Sequence, residues 1–265
     1  MRIRTSLAFL VLLLCVTNAD SAAQVRQETG FLDRSVTLGG LVFRYQVYVP
    51  SDYTPTRHWP VLMHLHGAGE RGTDGLLQTQ GGVGLAIRQN LSRYPAIVVF
   101  PQAPKDSLWV GVPAKAAMMA LDEAMKEFQA DSDRVYLTGL SMGGNGTWYL
   151  AYRNPGKFAA VAPICGWVAP FNPRFKSFET VVPPDSGSAF QALARQLRRV
   201  PIWIFHGEED PAVPVDQSRQ AAEALRGVST VVQYTELPGV GHNSWDAAYG
   251  SAKFTTWLFS QKRRP

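Results

Sequence analysis

Cysteine is scarce in this chain: Cys15 and Cys165 are the only two among 265 residues. Cys15 lies in an N-terminal stretch that reads as a cleavable leader, so a processed chain keeps Cys165 alone. An intramolecular disulfide is then excluded, and the fold must rest on its core. Cys165 sits in the apolar run VAPICGW and reads as a small buried hydrophobe. Internal repeats and low-complexity tracts are absent. No long basic run precedes the short tail Lys262-Arg263-Arg264, and the net charge of +5 is dispersed. Such a balance gives weak attraction to anionic surfaces, acidic polysaccharide included, and does not indicate nucleic-acid binding. A dinucleotide fingerprint and a P-loop are missing as well. GGVG at 81–84 lacks the Lys-Ser/Thr of a P-loop and does not follow a strand. No cofactor is expected.

The N-terminus carries Arg2 and Arg4, then an apolar run over 7–16, then small residues. That run is half of the roughly 20 residues a membrane span needs, so it reads as a secretory signal. Cleavage is expected after Ala23 of Ser21-Ala22-Ala23, with Ala19 as the alternative. The expected location is secreted or periplasmic, with no stable membrane insertion once the leader is removed. Residues 24–265 are expected to form one domain, and a hydrophobic content of 46% supports a sizeable core.

β-rich runs flank Gly39-Gly40, which predicts an N-terminal hairpin. Beyond Pro50, short apolar runs alternate with helical patterns. Strands are predicted at 61–65, 97–100, 135–138, 160–164, 202–206 and 231–237. Helices are predicted at 84–91, 113–129, 142–153, 215–226 and 246–259. This alternation implies βαβ units and a mostly parallel sheet with helices on both faces. Ligands of such sheets bind outside the carboxyl ends of the strands. The stretch 167–199, with four prolines and the helical run SAFQALARQLRR, reads either as a cap-like insertion or as a loop plus a covering helix.

The chemistry clusters at those strand ends. Gly139-Leu140-Ser141-Met142-Gly143 fits G-x-S-x-G, a nucleophile elbow, with a β-branched strand before it and a helical pattern after it. A serine hydroxyl needs a base, and the base needs an orienting acid. HGEEDPAVPV offers Glu208, Glu209 and Asp210 after a strand. Asp210 is preferred because Pro211 follows it in a rigid turn, with Glu209 in reserve. LPGVGHNSWD offers His242 as base, with Asp246 more apt for the first turn of the next helix. His66-Gly67-Ala68-Gly69 supplies an oxyanion loop. The expected donors are the amides of Met142 and Ala68, with Gly69 in reserve. The same stretch raises a metal alternative, an H-x-H pair of His64 and His66 joined by His206 and His242. The serine set already accounts for these residues, and His66 and His206 can instead shape turns, so no metal is expected. Glu70 and Arg71 can pair with one another.

HLHGAGERGTD, GLSMGGNGTW, FHGEEDPAVPV and GVGHNSWDAAY together resemble the α/β-hydrolase superfamily. Within it they are similar to secreted carboxylesterase/phospholipase-like and feruloyl-esterase-like serine esterases, over roughly residues 35–260. The resemblance implies an α/β-hydrolase fold and Ser141, Asp210 and His242 as a catalytic triad. It also implies Ala68 and Met142 as oxyanion donors, and Trp245 as a pocket wall. The expected activity is hydrolysis of a small or polysaccharide-linked ester, of short acyl or hydroxycinnamoyl type. Trp109, Trp167, Phe171, Phe175 and Trp245 are candidates for an aryl site. The alternatives are a serine peptidase or lipase/phospholipase on the same triad, and a catalytically inactive binding protein of the same fold.

Overall fold

A computed structural model describes residues 28–263, apart from Lys176, Ser229, Thr230 and the side chain of Arg174. The leader expected at 1–23 lies outside the described residues. The chain enters through a hairpin. β1 (Gly30–Leu38) and β2 (Leu41–Val49) pair antiparallel, with Leu38 opposite Leu41. Gly39 and Gly40 hold φ of +60° and +80° between them. A two-residue turn of this hand needs left-handed backbone at both positions, which side chains resist.

Alternation then begins. β3 (Trp59–Leu65), α1 (Gly82–Gln89), β4 (Ile97–Pro101), α2 (Gly111–Glu127), β5 (Ala130–Leu140) and α3 (Met142–Arg153) follow in order. β6 (Ala160–Ile164), α4 (Ala189–Leu197), β7 (Ile202–Gly207), α5 (Asp216–Arg226), β8 (Val232–Leu237), α6 (Trp245–Tyr249) and α7 (Ala252–Ser260) complete the chain. The sheet runs β1-β2-β4-β3-β5-β6-β7-β8. β4, β3 and β5 to β8 are mutually parallel, and the hairpin joins antiparallel through β2 against β4. This is the α/β-hydrolase fold.

The strand period of two sorts side chains onto two cores. Val61, Met63 and Leu65 enter one core with α2, α3, α4 and α5. Leu62 enters the other with α1, α6 and α7. Every residue of β3, β4, β6 and β7 is buried, which is why these strands read as continuous apolar runs.

One predicted helix changes, and the stretch left open at 167–199 takes a definite local form. The helix predicted over 246–259 is two helices. Gly250 closes α6, and the Ser251 hydroxyl accepts the Phe254 amide at 3.3 Å to cap α7. A serine that satisfies a helix-start amide competes with continuing the previous helix. The stretch 167–199 divides as well. Two short 3₁₀ turns, Pro173–Phe175 and Pro184–Ser186, precede α4, which packs on α5 and α3 as a covering helix.

Candidate active site

The carboxyl ends of β3, β5, β6 and β7 meet at one rim, and the expected residues lie there. Ser141 joins β5 to α3 with φ +54° and ψ −115°. Left-handed backbone at a non-glycine residue costs about 1–3 kcal/mol and persists only when its surroundings enforce it. Here the Ser141 N–H donates to Ile164 O at 2.9 Å, and its carbonyl accepts from the Asn145 N–H at 3.1 Å. The flanking glycines permit the turn by close approach. A Cβ on Gly143 would overlap the Leu65 carbonyl, and one on Gly139 would overlap that of Gly143.

Ser141 Oγ lies 2.9 Å from His242 Nε2, and His242 Nδ1 lies 2.7 Å from Asp210 Oδ2. Three segments far apart in sequence thus form one continuous hydrogen-bonded chain. Asp210 Oδ1 accepts the amides of Ala212 and Val213 at 2.8 and 2.9 Å. Burial works against the charge of this carboxyl. Hydrogen bonds from His206, His242 and the two amides outweigh it and hold the group well below the usual carboxylate range. The competing acids go elsewhere. Glu208 and Glu209 are exposed, and Glu208 accepts the Gly239 amide. Asp246 accepts from the Asn243 side chain in the first turn of α6.

The loop after β3 is strapped down around Ala68. His66 Nε2 accepts the Ala103 amide at 3.0 Å, so its proton sits on Nδ1 and is donated to Gly67 O at 2.6 Å. Gln102 donates to Glu70 O. Arg71 does not pair with Glu70. Its Nε donates to Ala68 O at 3.0 Å and its Nη1 to Ser107 O at 3.2 Å. Ala68 opens a 3₁₀ turn, Ala68–Glu70, and Met142 is the first residue of α3. Amides at such positions have no partner within their own helix. Both residues line the same cleft as Ser141.

That cleft holds about 350 Å³, within the range of small-molecule sites. Trp167, Phe171, Phe175 and Phe178 form its aromatic wall. The rings of Trp167 and Phe175 stack at 4.8 Å and 22°, and Phe171 stands edge-on to Trp167. Trp109, a candidate for this wall, does not reach it. It is 1% exposed and donates its indole N–H to His66 O, supporting the loop from within the core. Trp245 touches the site through His242, ring centroids 5.4 Å apart and perpendicular. Phe178 and Arg71 line the cleft without having been singled out for it. A phenylalanine in a proline-rich stretch carries no sequence mark that separates wall from core.

The four histidines do not converge on one point, although His206 and His242 both lie against Asp210. His64 lies between the rings of Phe100 and Tyr249, His66 holds its loop, and His206 binds Ser218 and Val213. Among the described residues, the one group with metal-ligand spacing is Cys165, Asp210 and His242. Burial pushes the Cys165 thiol up to about 12, which opposes the thiolate a metal needs. A larger cleft of about 930 Å³ opens at the amino ends of β6 and β7, beside Arg199, Arg226 and Lys262. Among the described residues, its lining holds no serine, cysteine or histidine. No helix among the described residues is long and apolar enough to cross a membrane.

The family model described as the prolyl oligopeptidase family matches residues 106–261, a span that holds Ser141, Asp210 and His242. An acyl-protein thioesterase 1 of Gibberella zeae is 29% identical over 112 residues, 42% of each chain. A bifunctional acetylxylan esterase/xylanase of Neocallimastix patriciarum is 29% identical over 182 residues, 64% of this chain and 22% of its own length. The crystal structure of a thermostable esterase superposes with a TM-score of 0.76 at 32% identity, covering 88% of this chain and 63% of that one. The chain therefore spans less than two thirds of each of these relatives. With its matched span covering more than half of the sequence, this chain belongs to the prolyl oligopeptidase family of α/β-hydrolase-fold proteins.

Proposed function

We propose that the protein is a secreted serine hydrolase of carboxylic esters, acting on short acyl or hydroxycinnamoyl esters such as those linked to polysaccharide. The hydrogen-bonded chain Ser141–His242–Asp210 beside an aromatic-walled cleft carries this reading. Ser141 Oγ attacks the ester carbonyl carbon while His242 Nε2 takes the hydroxyl proton. The oxyanion forms against the Ala68 and Met142 amides. The C–O bond to the alcohol then breaks, and the proton passes from His242 to the departing oxygen. Water, deprotonated by the same imidazole, releases the acid from the acyl-enzyme. Asp210 holds the imidazole in the required tautomer. The Trp167–Phe175 stack offers a flat apolar face for an aryl acyl group. The esterase names of two relatives and the basic n-region with its short apolar run support the chemistry and the secretion.

The family's name favours a second reading, cleavage of peptide bonds on the same triad. One panel separates the two: methyl ferulate, a p-nitrophenyl ester series and a peptide anilide, each with wild type and Ser141→Ala. Ester turnover is expected, reduced by about 10³-fold or more in the variant. Turnover of the anilide with none of the esters supports the peptidase instead. Near-wild-type turnover by Ser141→Ala sinks both.

A further inference from the structure

His206 and His242 lie against the same oxygen of Asp210. His206 lies in β7, four residues before the acid, and neither of these two side chains exposes any surface. His206 Nε2 is 3.2 Å from Asp210 Oδ2 and 3.0 Å from Val213 O. Both neighbours are acceptors, so Nε2 carries a proton; it donates to Val213 O and lies against Asp210 Oδ2. On the far edge of the ring, Nδ1 lies 2.7 Å from Ser218 Oγ on α5. One N–H therefore ties β7 to the far end of the 210–213 turn beside the carboxylate, and the hydroxyl of α5 fixes the ring that bears it. With the Ala212 and Val213 amides on Oδ1, the carboxylate has four N–H-bearing nitrogens within 3.2 Å: two amides and two imidazoles.

Resting on the hydrolase reading above, we infer that His206 is a positioning residue, a second imidazole that shares Asp210 with His242 and limits how strongly the carboxylate favours protonated His242. The shared oxygen is the point. Asp210 Oδ2 faces the imidazole nitrogens of both His242, at 2.7 Å, and His206, at 3.2 Å, and its negative charge acts on both. With His206 removed, that charge falls on His242 alone. Protonation of His242 then becomes more favourable, and the form able to accept the Ser141 proton appears only at higher pH. The acid limb of kcat/KM moves upward.

The other titratable groups packed around this pair are known. Glu236 on β8 lies opposite His206 in the sheet register. It is held by Arg219 on α5 at 2.6 Å and by the Tyr234 hydroxyl. Cys165 after β6 lies within 4.8 Å of Asp210 and His242. Glu208 and Glu209 face solvent. None of these offers Asp210 a donor equivalent to His206.

Two substitutions isolate the contact. Asparagine places its amide near the position of Nδ1, so His206→Asn keeps a partner for Ser218 and loses Asp210. Glutamine places its amide near the position of Nε2, so His206→Gln keeps Asp210. In pH profiles of p-nitrophenyl ester hydrolysis, the acid limb of His206→Asn is expected about 0.5–1 pH unit higher, with kcat down about tenfold and KM little changed. His206→Gln is expected within about 0.2 pH units of wild type. An unshifted limb in His206→Asn, or an equal shift in both variants, overturns the proposal. A purely structural histidine would lower melting temperature and kcat without moving the limb. Should the variants not fold, ¹⁵N-histidine NMR of the wild type decides: His206 is expected protonated at Nε2, and an Nδ1–H tautomer overturns the assignment. Failure of the hydrolase reading looks different, as wild type inert to every ester or Ser141→Ala still active.

Discussion

At the scale of single residues, two non-glycine positions beside the site share a rare backbone state. Ser141 has φ +54° and Cys165 has φ +40°. They meet across the carboxyl ends of β5 and β6, where the Ser141 amide donates to the Ile164 carbonyl, just before Cys165. The Cys165 amide in turn donates to Phe205 O at 2.8 Å, which passes the constraint on to β7. The thiol itself is fully buried, and that burial pushes it up to about 12. A thiol reagent attacks thiolate, so Cys165 is expected inert in the native state. Ellman's reagent at pH 8 should register no thiol until guanidinium is added, and then one from this position. Rapid native labelling would show that the region under the triad opens readily.

At the scale of elements, the proposed oxyanion loop depends on a strap and not on its own propensity. The Ala68–Glu70 turn is three residues long and cannot hold itself. His66, Gln102 and Arg71 tie it to the 102–107 segment. Arg71 binds the carbonyl of Ala68, the residue whose amide is proposed to receive the oxyanion. Removing an oxyanion donor outright costs about 10²–10³ in kcat. Loosening one costs less, so Arg71→Ala is expected to lower kcat about tenfold with KM changed less than about threefold. Steady-state kinetics on a p-nitrophenyl ester checks this. A rise in KM at constant kcat would instead mean that Arg71 binds substrate.

At the scale of the whole molecule, buried imidazoles set the response to acid. Burial, aided by the neighbouring His66, lowers His64 to about 3, and burial lowers His66 to about 4 despite its bond to Gly67 O. Unfolded, both titrate near about 6.5. Below that pH the unfolded chain binds protons that the folded one refuses. Stability is therefore full above about 6.5 and falls as pH drops toward about 4 for His66 and about 3 for His64. Asp210 adds a loss below about 4, since its folded carboxyl stays ionised where the unfolded one does not. Urea unfolding at pH 4.5 is expected to show several kcal/mol less stability than at pH 7. Among the described residues, neither ring nitrogen of His64 has a hydrogen-bonding partner. His64→Leu should therefore flatten about half of that slope, because an apolar group there has no proton to gain. An unfolding midpoint unchanged from pH 7 to 4.5 would contradict this account.

Alternating apolar runs and helical spacing determined the layered α/β architecture. Glycines around Gly39-Gly40 and Ser141 marked two turns with the backbone they adopt. Order along the chain and turn chemistry selected Ser141, Asp210 and His242, and the folded chain brings these three into hydrogen-bonding contact. Apart from that order, the information is local, acting within a few residues of each motif. What packing alone decided is of another kind. Trp109 and Trp167 are equally bulky in the sequence, yet one closes the core beneath His66 and the other faces the cleft. Arg71 bypasses its neighbour Glu70 for two carbonyls, one of them 36 residues away. His206 reads as the start of a turn, and only the approach of β7, α5 and the 210–213 segment sets its proton against Asp210. Such contacts depend on how strands are offset and how side chains compete for space. Residues that look alike in isolation are separated there by the direction in which the sheet lets each of them point.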